Sequence, residues 1–268
     1  MILDSHTHSV FSFDGHDSVE EMCRIAGKNG VSAFAVTDHC DIDGIMDGFY
    51  PPYLPEDGKA AVMEARDRFK GTVEIAWGIE LGQPHLRREE SLELLKNQQY
   101  DFVIGSVHNL ENVPDFAFLH YADMPQSLID SLFRRNLEAL CRVAEFPGIT
   151  TLAHITYPRR YARYYSRELE IGRFTEELRT LFRIMTEKGV ALELNTKMLR
   201  EGQAEPDPSS DILSLYKECG GELVTVGSDA HFARDIGGCV EDAYALLREV
   251  GFRYVSYGAP GGIRQMKL

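Results

Sequence analysis

The stretch Val73–Leu81, VEIAWGIEL, is the clearest strand in the sequence and decides the fold class. Its apolar residues run almost without interruption, which is typical of a strand buried on both faces of a parallel sheet. Further short apolar runs share this character, and an eighth strand is predicted at Tyr254–Tyr257. The other runs are Ile2–Leu3, Ala33–Thr37, Phe102–Val107, Ile149–Ala153, Val190–Leu194 and Leu223–Val226.

Helix-length segments separate these runs. The first is predicted to begin at Ser18 and to end at Gly30. The others lie near residues 57–70, 89–98, 126–145, 173–188, 209–219 and 239–250. Glu201–Ser210, EGQAEPDPSS, is predicted to be an exposed loop. Strands that alternate with helices predict an α/β fold with a parallel sheet, and seven such units favour one barrel domain over residues 1–268.

The composition limits the kinds of partner that the chain can have. Its 268 residues are 44% apolar and carry a formal net charge of −14. This acidic balance disfavours a nucleic acid as partner, because nucleic-acid-binding proteins usually display a basic surface. Five widely spaced cysteines without a C-x-x-C pair favour a reducing cytoplasm. The N-terminus lacks the features of a signal peptide and no apolar run is long enough to span a bilayer, so no membrane partner is expected.

Histidines and carboxylates follow the predicted strands one after another. In an α/β barrel the carboxyl ends of the strands converge on one rim, where catalytic groups lie. An isolated H-x-H pair is a weak signal, but imidazoles and acids crowded on one rim would be costly without cations. The pattern therefore predicts a metal centre at this rim. The residues at the strand ends are His6, His8, His39, Glu80, His108, His154, Asn195, Asp229 and His231.

Asp14, in the loop after the first strand, is a further candidate ligand. With Asp14 and without Asn195 the set comprises six imidazoles and three carboxylates, or about three ligands for each of three ions. Mixed imidazole and carboxylate ligation without a thiolate suits Zn²⁺, Mn²⁺ or Fe²⁺ and does not choose among them. We therefore expect two to three divalent ions, whose positive charge would attract a phosphate group despite the acidic surface.

With these residues in view, the sequence resembles the PHP (polymerase and histidinol phosphatase) superfamily over essentially the whole chain. GSVHNL and ELNTKMLR are most similar to the stand-alone histidinol-phosphate phosphatases of that superfamily. The resemblance implies a distorted (βα)7 barrel with a trinuclear metal site at the C-terminal rim of the strands. The motifs that carry it are DSHTHS from residue 4, TDH at 37–39, GIE at 78–80, GSVH at 105–108, AH at 153–154 and GSDAH at 227–231.

The resemblance also implies how the ligands divide among three ions. Glu80 would bridge two of the ions, and His16 competes with Asp14 for a place at the third. The implied sets are His6, His8, Glu80 and Asp229 for the first ion, Glu80, His108 and His154 for the second, and Asp14, His39 and His231 for the third. Members of this branch place arginines near the fifth and sixth strand ends to bind phosphate. The residues at such places here are Arg159, Arg160 and Arg200, with Lys197 as a weaker option.

The implied reaction is hydrolysis of a phosphate monoester, with L-histidinol phosphate, an intermediate of histidine biosynthesis, as the first choice of substrate. A hydroxide that bridges two ions and is held by Glu80 and Asp229 would attack phosphorus in line. The arginines would bind the phosphate oxygens through paired hydrogen bonds. The leaving group also needs a proton. The proton donor stays unassigned, and the candidates are His16, His85 and Asp38.

Alternative functions stay open at this point. The first is a phosphoesterase that acts on nucleotides or oligonucleotide ends, although the net charge of −14 disfavours long polymers. The second is hydrolysis of phosphotyrosine. The third is a non-catalytic binding module on a degenerate barrel, which the complete set of strand-end ligands disfavours. We expect a small phosphate ester as substrate, and the sequence does not predict the oligomeric state.

Overall fold

Ten strands form one sheet in the computed structural model, which describes residues 1–268. A strand is present at each of the eight predicted positions, and β3 and β10 are additional. The strands are β1 (Ile2–Thr7), β2 (Val31–Val36), β3 (His39–Asp41), β4 (Glu74–Gly82), β5 (Phe102–Ser106), β6 (Thr151–Leu152), β7 (Ala191–Asn195), β8 (Val224–Gly227), β9 (Tyr254–Ala259) and β10 (Gly262–Lys267).

Seven parallel strands follow one another around a ring, in the order β1-β2-β4-β5-β6-β7-β8. Just past the end of β8, the Asp229 amide donates to the His6 carbonyl at 2.9 Å, and the His8 amide donates to the Ala230 carbonyl at 2.8 Å. The chain after β8 therefore pairs with β1, and the ring returns to its start. It is uneven, because β6 has only two residues and β3 pairs with β4 alone. The predicted distorted α/β barrel is confirmed.

Ten α-helices lie in the connections between the strands. Seven of them correspond to the predicted helices, whereas α2, α6 and α8 are additional and have eight residues or fewer. None of the helices is long and apolar enough to cross a membrane. The helices are α1 (Val19–Lys28), α2 (Ile42–Met46), α3 (Pro55–Arg68), α4 (Arg88–Gln98), α5 (Gln126–Ala144), α6 (Tyr157–Tyr164), α7 (Thr175–Lys188), α8 (Lys197–Arg200), α9 (Ser210–Glu218) and α10 (Val240–Val250).

Helix α1 shows how the local sequence determines such an element. At its N-terminus the Ser18 side chain accepts a hydrogen bond from the Glu21 amide at 3.3 Å, which satisfies one of the free amides of the first turn. Gly30 follows the helix with a φ of +74°, a conformation that glycine adopts without strain. The residues that α1 buries recur at the three- and four-residue spacing of one helical face. They are Val19, Met22, Cys23 and Ala26.

Asp4, on β1, connects the first strand of the ring to the chain after β8. One of its carboxylate oxygens accepts from the Ser228 amide at 2.8 Å. The other accepts from the Ser228 hydroxyl at 2.5 Å and from the Gly237 amide at 2.8 Å. Asp4 is almost completely buried. These bonds hold the segment that carries Asp229 and His231 against β1.

Replacing Asp4 with alanine is expected to destabilise the protein by about 3 kcal/mol or more, because several buried donors would lose their acceptor. Urea unfolding followed by circular dichroism measures the change. Ser5→Ala is the matched control in the same strand, since the buried Ser5 hydroxyl has no hydrogen-bond partner. Equal stability of the Asp4 and Ser5 variants would show that the Asp4 bonds contribute nothing to the ring.

The C-terminal hairpin of β9 and β10 covers the end of the ring opposite to the rim. The Gly261 amide donates to the Asp101 carboxylate at 2.7 Å, and Arg264 pairs with Glu74 at 2.7 Å. Gly258 lies so close to Phe102 that a Cβ atom there would be 2.8 Å from the aromatic ring. Asp101, Phe102 and Glu74 all lie at the amino-terminal ends of their strands, so this end of the ring is closed.

The segment Glu201–Ser210 differs from the predicted exposed loop. Its first residues are exposed, but Asp207 is 3% exposed and pairs with Asn195 of β7, with the Asn195 amide 2.7 Å from the Asp207 carbonyl. Thr156 also donates to the Asp207 side chain. The prolines and serines of the segment prevent a helix or strand, but they do not prevent burial of the backbone against the rim.

Candidate metal centre

Nine histidine and carboxylate side chains gather at the carboxyl end of the ring, and we call them the rim cluster. They are the nine predicted ligands, His6, His8, Asp14, His39, Glu80, His108, His154, Asp229 and His231. Within each of four overlapping groups, one ligand atom from every member lies within 4.8 Å of the others. The groups are His8, Asp14, His39 and His231; His6, Glu80 and His154; His6, His8 and Asp229; and His39, Glu80 and His108.

Glu80 lies at the middle of the rim cluster. Its Oε1 is 3.0 Å from His108 Nε2 and 2.9 Å from His154 Nε2. Its Oε2 is 3.0 Å from His6 Nε2, 3.0 Å from His39 Nδ1 and 3.5 Å from His8 Nε2. The two oxygens of one carboxylate thus face two different sets of imidazoles. This division is the one expected of a carboxylate that bridges two cations.

The electrostatics of the rim cluster favour the metal-binding protonation state of Glu80 and His8, whereas the pKa values of His6, His39 and His108 are raised because neighbouring carboxylates outweigh the effect of burial. Burial alone would raise the pKa of Glu80, but the imidazoles of His39 and His6 hold that pKa well below its usual range. Burial, together with the imidazoles of His39 and His231, holds the pKa of His8 well below its usual value. Ionised carboxylates and neutral imidazoles are the forms that act as metal ligands.

His8 Nε2 is the atom whose surroundings best fit a bound cation. It is buried and has no hydrogen-bond partner. It lies 3.5 Å from Glu80 Oε2 and also 3.5 Å from Asp229 Oδ1. A buried nitrogen without a partner is costly, and a divalent ion among these three atoms would satisfy all of them. The residues of the rim cluster therefore fit divalent metal ions.

Asp14, not His16, joins the group at the outer side of the rim cluster. Asp14 Oδ2 lies 3.0 Å from His231 Nε2 and 3.7 Å from His39 Nε2. His16 is exposed and stacks on Phe232, with the ring centroids 4.0 Å apart. His16 belongs to none of the four ligand groups.

Two buried carboxylates that the sequence analysis did not single out orient imidazoles of the rim cluster. Glu193 Oε1 lies 2.6 Å from His6 Nδ1, and Asp41 Oδ1 lies 2.7 Å from His108 Nδ1. A carboxylate on the second ring nitrogen fixes the tautomer and orientation of a metal-binding histidine. Strand alternation was the available signal, because Glu193 lies two residues before Asn195 on the same face of β7.

Replacing Glu193 with alanine is expected to weaken metal binding about 10- to 100-fold, because His6 would lose the group that orients it. Competition with a chromophoric chelator measures the affinity. Glu222→Ala is the matched control, since Glu222 is exposed just before β8. An unchanged affinity in the Glu193 variant would mean that this carboxylate does not position His6.

Of the predicted phosphate-binding arginines, the structure brings Arg160 to the rim cluster. Its Nη1 lies 3.2 Å from Asp229 Oδ2, and its Nη2 donates to Asn195 Oδ1 at 3.3 Å. Arg160 is 2% exposed. Arg159, the preceding residue, lines a separate cavity together with Glu205.

Lys197, and not Arg200, lies beside the rim cluster in the structure. Arg200 donates to the Ser228 carbonyl at 2.6 Å and lies 3.8 Å from Asp235, and it contacts no side chain of the rim cluster. Lys197 Nζ lies 3.9 Å from Asp229 Oδ2, and its side chain is 24% exposed. Lys197 is therefore the partly accessible cation beside the cluster, although the sequence analysis treated it as the weaker option.

The structure brings none of the predicted proton donors into the ligand groups. Both oxygens of Asp38 accept from Ser9, from its amide at 2.6 Å and from its hydroxyl at 2.8 Å. His85 is largely buried, and burial together with the nearby Arg142 lowers the pKa of its imidazole to about 4. His16 lies outside the cluster, as described above.

Comparison with known proteins places this geometry in a family. The model of the PHP domain matches residues 4–197, most of the chain. The chain belongs to the PHP domain family. The PHP match covers seven of the nine side chains of the rim cluster, whereas β8, Asp229 and His231 lie beyond it.

Relatives of this PHP protein extend along its full length. A probable histidinol-phosphatase of Thermotoga maritima is 30% identical over 260 residues, which cover 95% of each chain. The histidinol-phosphatase of Lactococcus lactis is 27% identical and covers 93% of this chain and 91% of its own. The solved structure of histidinol phosphate phosphatase from Lactococcus lactis, complexed with zinc, L-histidinol and phosphate, superposes with a TM-score of 0.86 at 24% identity and covers 98% of each chain. The PHP fold is thus shared over the whole chain.

Proposed function

We propose that this protein is a metal-dependent phosphatase that hydrolyses L-histidinol phosphate to L-histidinol and phosphate. The observation that carries the proposal is the position of Glu80, whose two oxygens face separate sets of imidazoles as a carboxylate shared by two cations would. Two observations support the choice of substrate. Relatives of the chain are named histidinol-phosphatase, and the fold is shared with a protein that binds zinc, L-histidinol and phosphate.

The rim cluster would hold two to three divalent ions, with Zn²⁺, Mn²⁺ and Fe²⁺ all suited to its ligands. When bound, such ions neutralise charge on the phosphate and lower the pKa of water for attack on phosphorus. Glu80 and Asp229, which both lie 3.5 Å from His8 Nε2, would hold ions together with His8, and Asp14 would complete the outer group with His39 and His231. Glu193 and Asp41 would keep His6 and His108 in the orientation that ligation needs.

Arg160 and Lys197 are the cations that we assign to the phosphate group. Both lie beside Asp229, so a phosphate at the rim cluster would be within reach of their side chains. Arg160 is held in place by Asn195 and Asp229, which orients its guanidinium before substrate arrives. A guanidinium and an ammonium would offset the charge of the phosphate oxygens.

Lys197→Gln is expected to raise the KM for phosphate esters about 10-fold, because a charge-assisted hydrogen bond to phosphate would be lost. Arg200→Gln should leave the KM unchanged, since Arg200 is bound to Ser228 and Asp235. Steady-state kinetics of both variants separates the two assignments. A raised KM in Arg200→Gln together with an unchanged KM in Lys197→Gln would mean that Arg200, and not Lys197, binds the phosphate group.

The substrate is tested by phosphate release from a panel of L-histidinol phosphate, mononucleotides, phosphotyrosine and a single-stranded oligonucleotide. We expect the highest kcat/KM for L-histidinol phosphate. A higher value for a nucleotide or for phosphotyrosine would assign this PHP protein to another substrate. No release from any ester, with metal supplied, would exclude a phosphatase.

We further propose that residues 1–268 work as one domain in the cytoplasm. The ring begins with β1 and is completed by the chain after β8, and the hairpin of β9 and β10 packs on the same ring. The five cysteines are all unpaired, as expected in a reducing compartment.

A further inference from the structure

A cavity of about 560 Å³ opens beside the rim cluster. Every charged residue that lines it is an aspartate, and its apolar lining includes aromatic rings. The residues that matter here are Asp43, Asp47, Asp115, Phe49, Tyr50 and Phe118. A cavity of this size accommodates a small organic molecule, and this lining attracts a positively charged one.

The Asp115 carboxylate lies at the boundary between this cavity and the rim cluster. One of its oxygens accepts from the Tyr157 hydroxyl at 3.4 Å, and the other accepts from the Tyr50 hydroxyl at 3.4 Å. The Tyr157 ring stacks on His154 with the centroids 5.0 Å apart, and its centroid is 5.1 Å from that of His108. Asp115 is thus one side chain away from two of the imidazoles that surround Glu80.

The part of the cavity wall at Tyr50 also adjoins the rim cluster. Tyr50 stacks on Phe13 at 4.4 Å, and Phe13 stacks on His39 at 5.0 Å. Asn109, which follows His108 in the chain, lines the cavity and donates to Asp43 at 2.9 Å. The cavity therefore shares its walls with the segments that carry the ligands. A phosphate ester bound at the cluster would extend its alcohol part into this cavity.

Among the three aspartates, Asp115 is the one that best fits a ligand cation. Asp47 already pairs with Arg87 at 2.9 Å. Asp43 accepts from the side-chain amides of Asn109 and Gln83. The Asp115 side chain has no cationic partner and accepts from the two tyrosine hydroxyls and from the Ala117 amide at 2.7 Å. Each carboxylate oxygen has two acceptor positions, so one remains on the oxygen bonded only to Tyr50.

We propose that Asp115 is a specificity-determining residue that pairs with a cationic group on the alcohol part of the substrate. The proposal rests on the function proposed above, which places the phosphate at the rim cluster. The aromatic rings of Tyr50 and Phe118 add favourable faces for an ammonium or imidazolium group. An ester whose alcohol part is anionic would be repelled by the three aspartates, so the cavity selects by charge.

The test compares L-histidinol phosphate with N-acetyl-L-histidinol phosphate, in which an acetyl group removes the positive charge of the ammonium group. The wild-type protein is expected to prefer the first by about 30-fold in kcat/KM, the value of one charge-assisted hydrogen bond. In Asp115→Asn this preference is expected to fall to about threefold or less, because a neutral amide replaces the carboxylate. Asp123→Asn is the matched control, with the same charge change at an exposed residue between β5 and α5, and it should keep the full preference.

Binding of L-histidinol itself, measured by calorimetry, tests Asp115 without turnover. Asp115→Asn should weaken L-histidinol binding about 30-fold and leave the weaker binding of N-acetyl-L-histidinol nearly unchanged. If both esters lose activity equally, or if neither measurement responds to Asp115→Asn, Asp115 does not determine specificity. If L-histidinol binding depends on Asp115 but no ester is hydrolysed, the cavity assignment stands and the proposed phosphatase function fails.

Discussion

Replacing Glu80 with glutamine is expected to reduce phosphate release at least about a thousandfold, since metal ions supply several kcal/mol of transition-state stabilisation. The carboxylate is fully buried and faces five imidazoles. An amide of the same shape offers one oxygen where two are needed and carries no charge against two cations. Steady-state kinetics and elemental analysis of the variant measure the two consequences, lost turnover and lost metal.

The control for Glu80→Gln is Glu74→Gln in the same strand. Glu74 lies at the other end of β4, where it pairs with Arg264 at 2.7 Å. An exposed pair of this kind contributes little to stability, so activity and metal content should remain those of the wild type. Near-normal turnover in Glu80→Gln would show that the binding of two metal ions does not depend on this carboxylate. The proposed arrangement of the metal ions would then be wrong.

Removing the metal ions with a chelator is expected to abolish phosphate release and to lower the melting temperature. The ions bind the folded chain only, so their removal withdraws about 4 kcal/mol of stability per ion at a thousandfold excess over Kd. Protein purified with metal supplied should contain about two to three ions per chain, as the number of ligands suggests. Adding back Zn²⁺, Mn²⁺ and Fe²⁺ separately identifies the ion that restores the highest activity.

Two results would contradict this expectation. Full activity after exhaustive chelation, with elemental analysis finding no metal, would exclude a metal-dependent reaction. A melting temperature that does not change on chelation would mean that the imidazoles and carboxylates of the rim cluster are stable together without cations. The calorimetric scan and the activity assay are made on the same sample, so that the two readouts can be compared directly.

The gathering of the ligands could be predicted from sequence because it follows from the geometry of parallel strands. When His6, Glu80, His108 and Asp229 are each placed at or near the end of a strand, the ring of strands brings them together, however the helices pack. Asp14 lies in a loop, and the sequence left His16 as an alternative, because two residues of loop can turn either side chain towards the ring. In the structure, Asp14 contacts His231 and His16 does not join the rim cluster, which favours Asp14.

The residues that pack around the rim cluster could not be predicted from the sequence. β3 has three residues, too few for a recognisable pattern, so Asp41 on β3 was not expected beside His108. Asp115 lies one side chain away from the rim cluster because it accepts a hydrogen bond from Tyr157, a contact between residues 42 positions apart. Lys197 and Arg200 share a helix of four residues, and the direction of so short a helix depends on packing.

The pairing of β1 with the chain after β8 has a consequence for biosynthesis. His6 and His8 leave the ribosome early, whereas Asp229 and His231 follow more than two hundred residues later. The Asp4 bonds to Ser228 and Gly237, which join these two parts, cannot form before both are free of the exit tunnel. Until the segment after β8 has emerged, a nascent chain therefore lacks two of the nine side chains of the rim cluster.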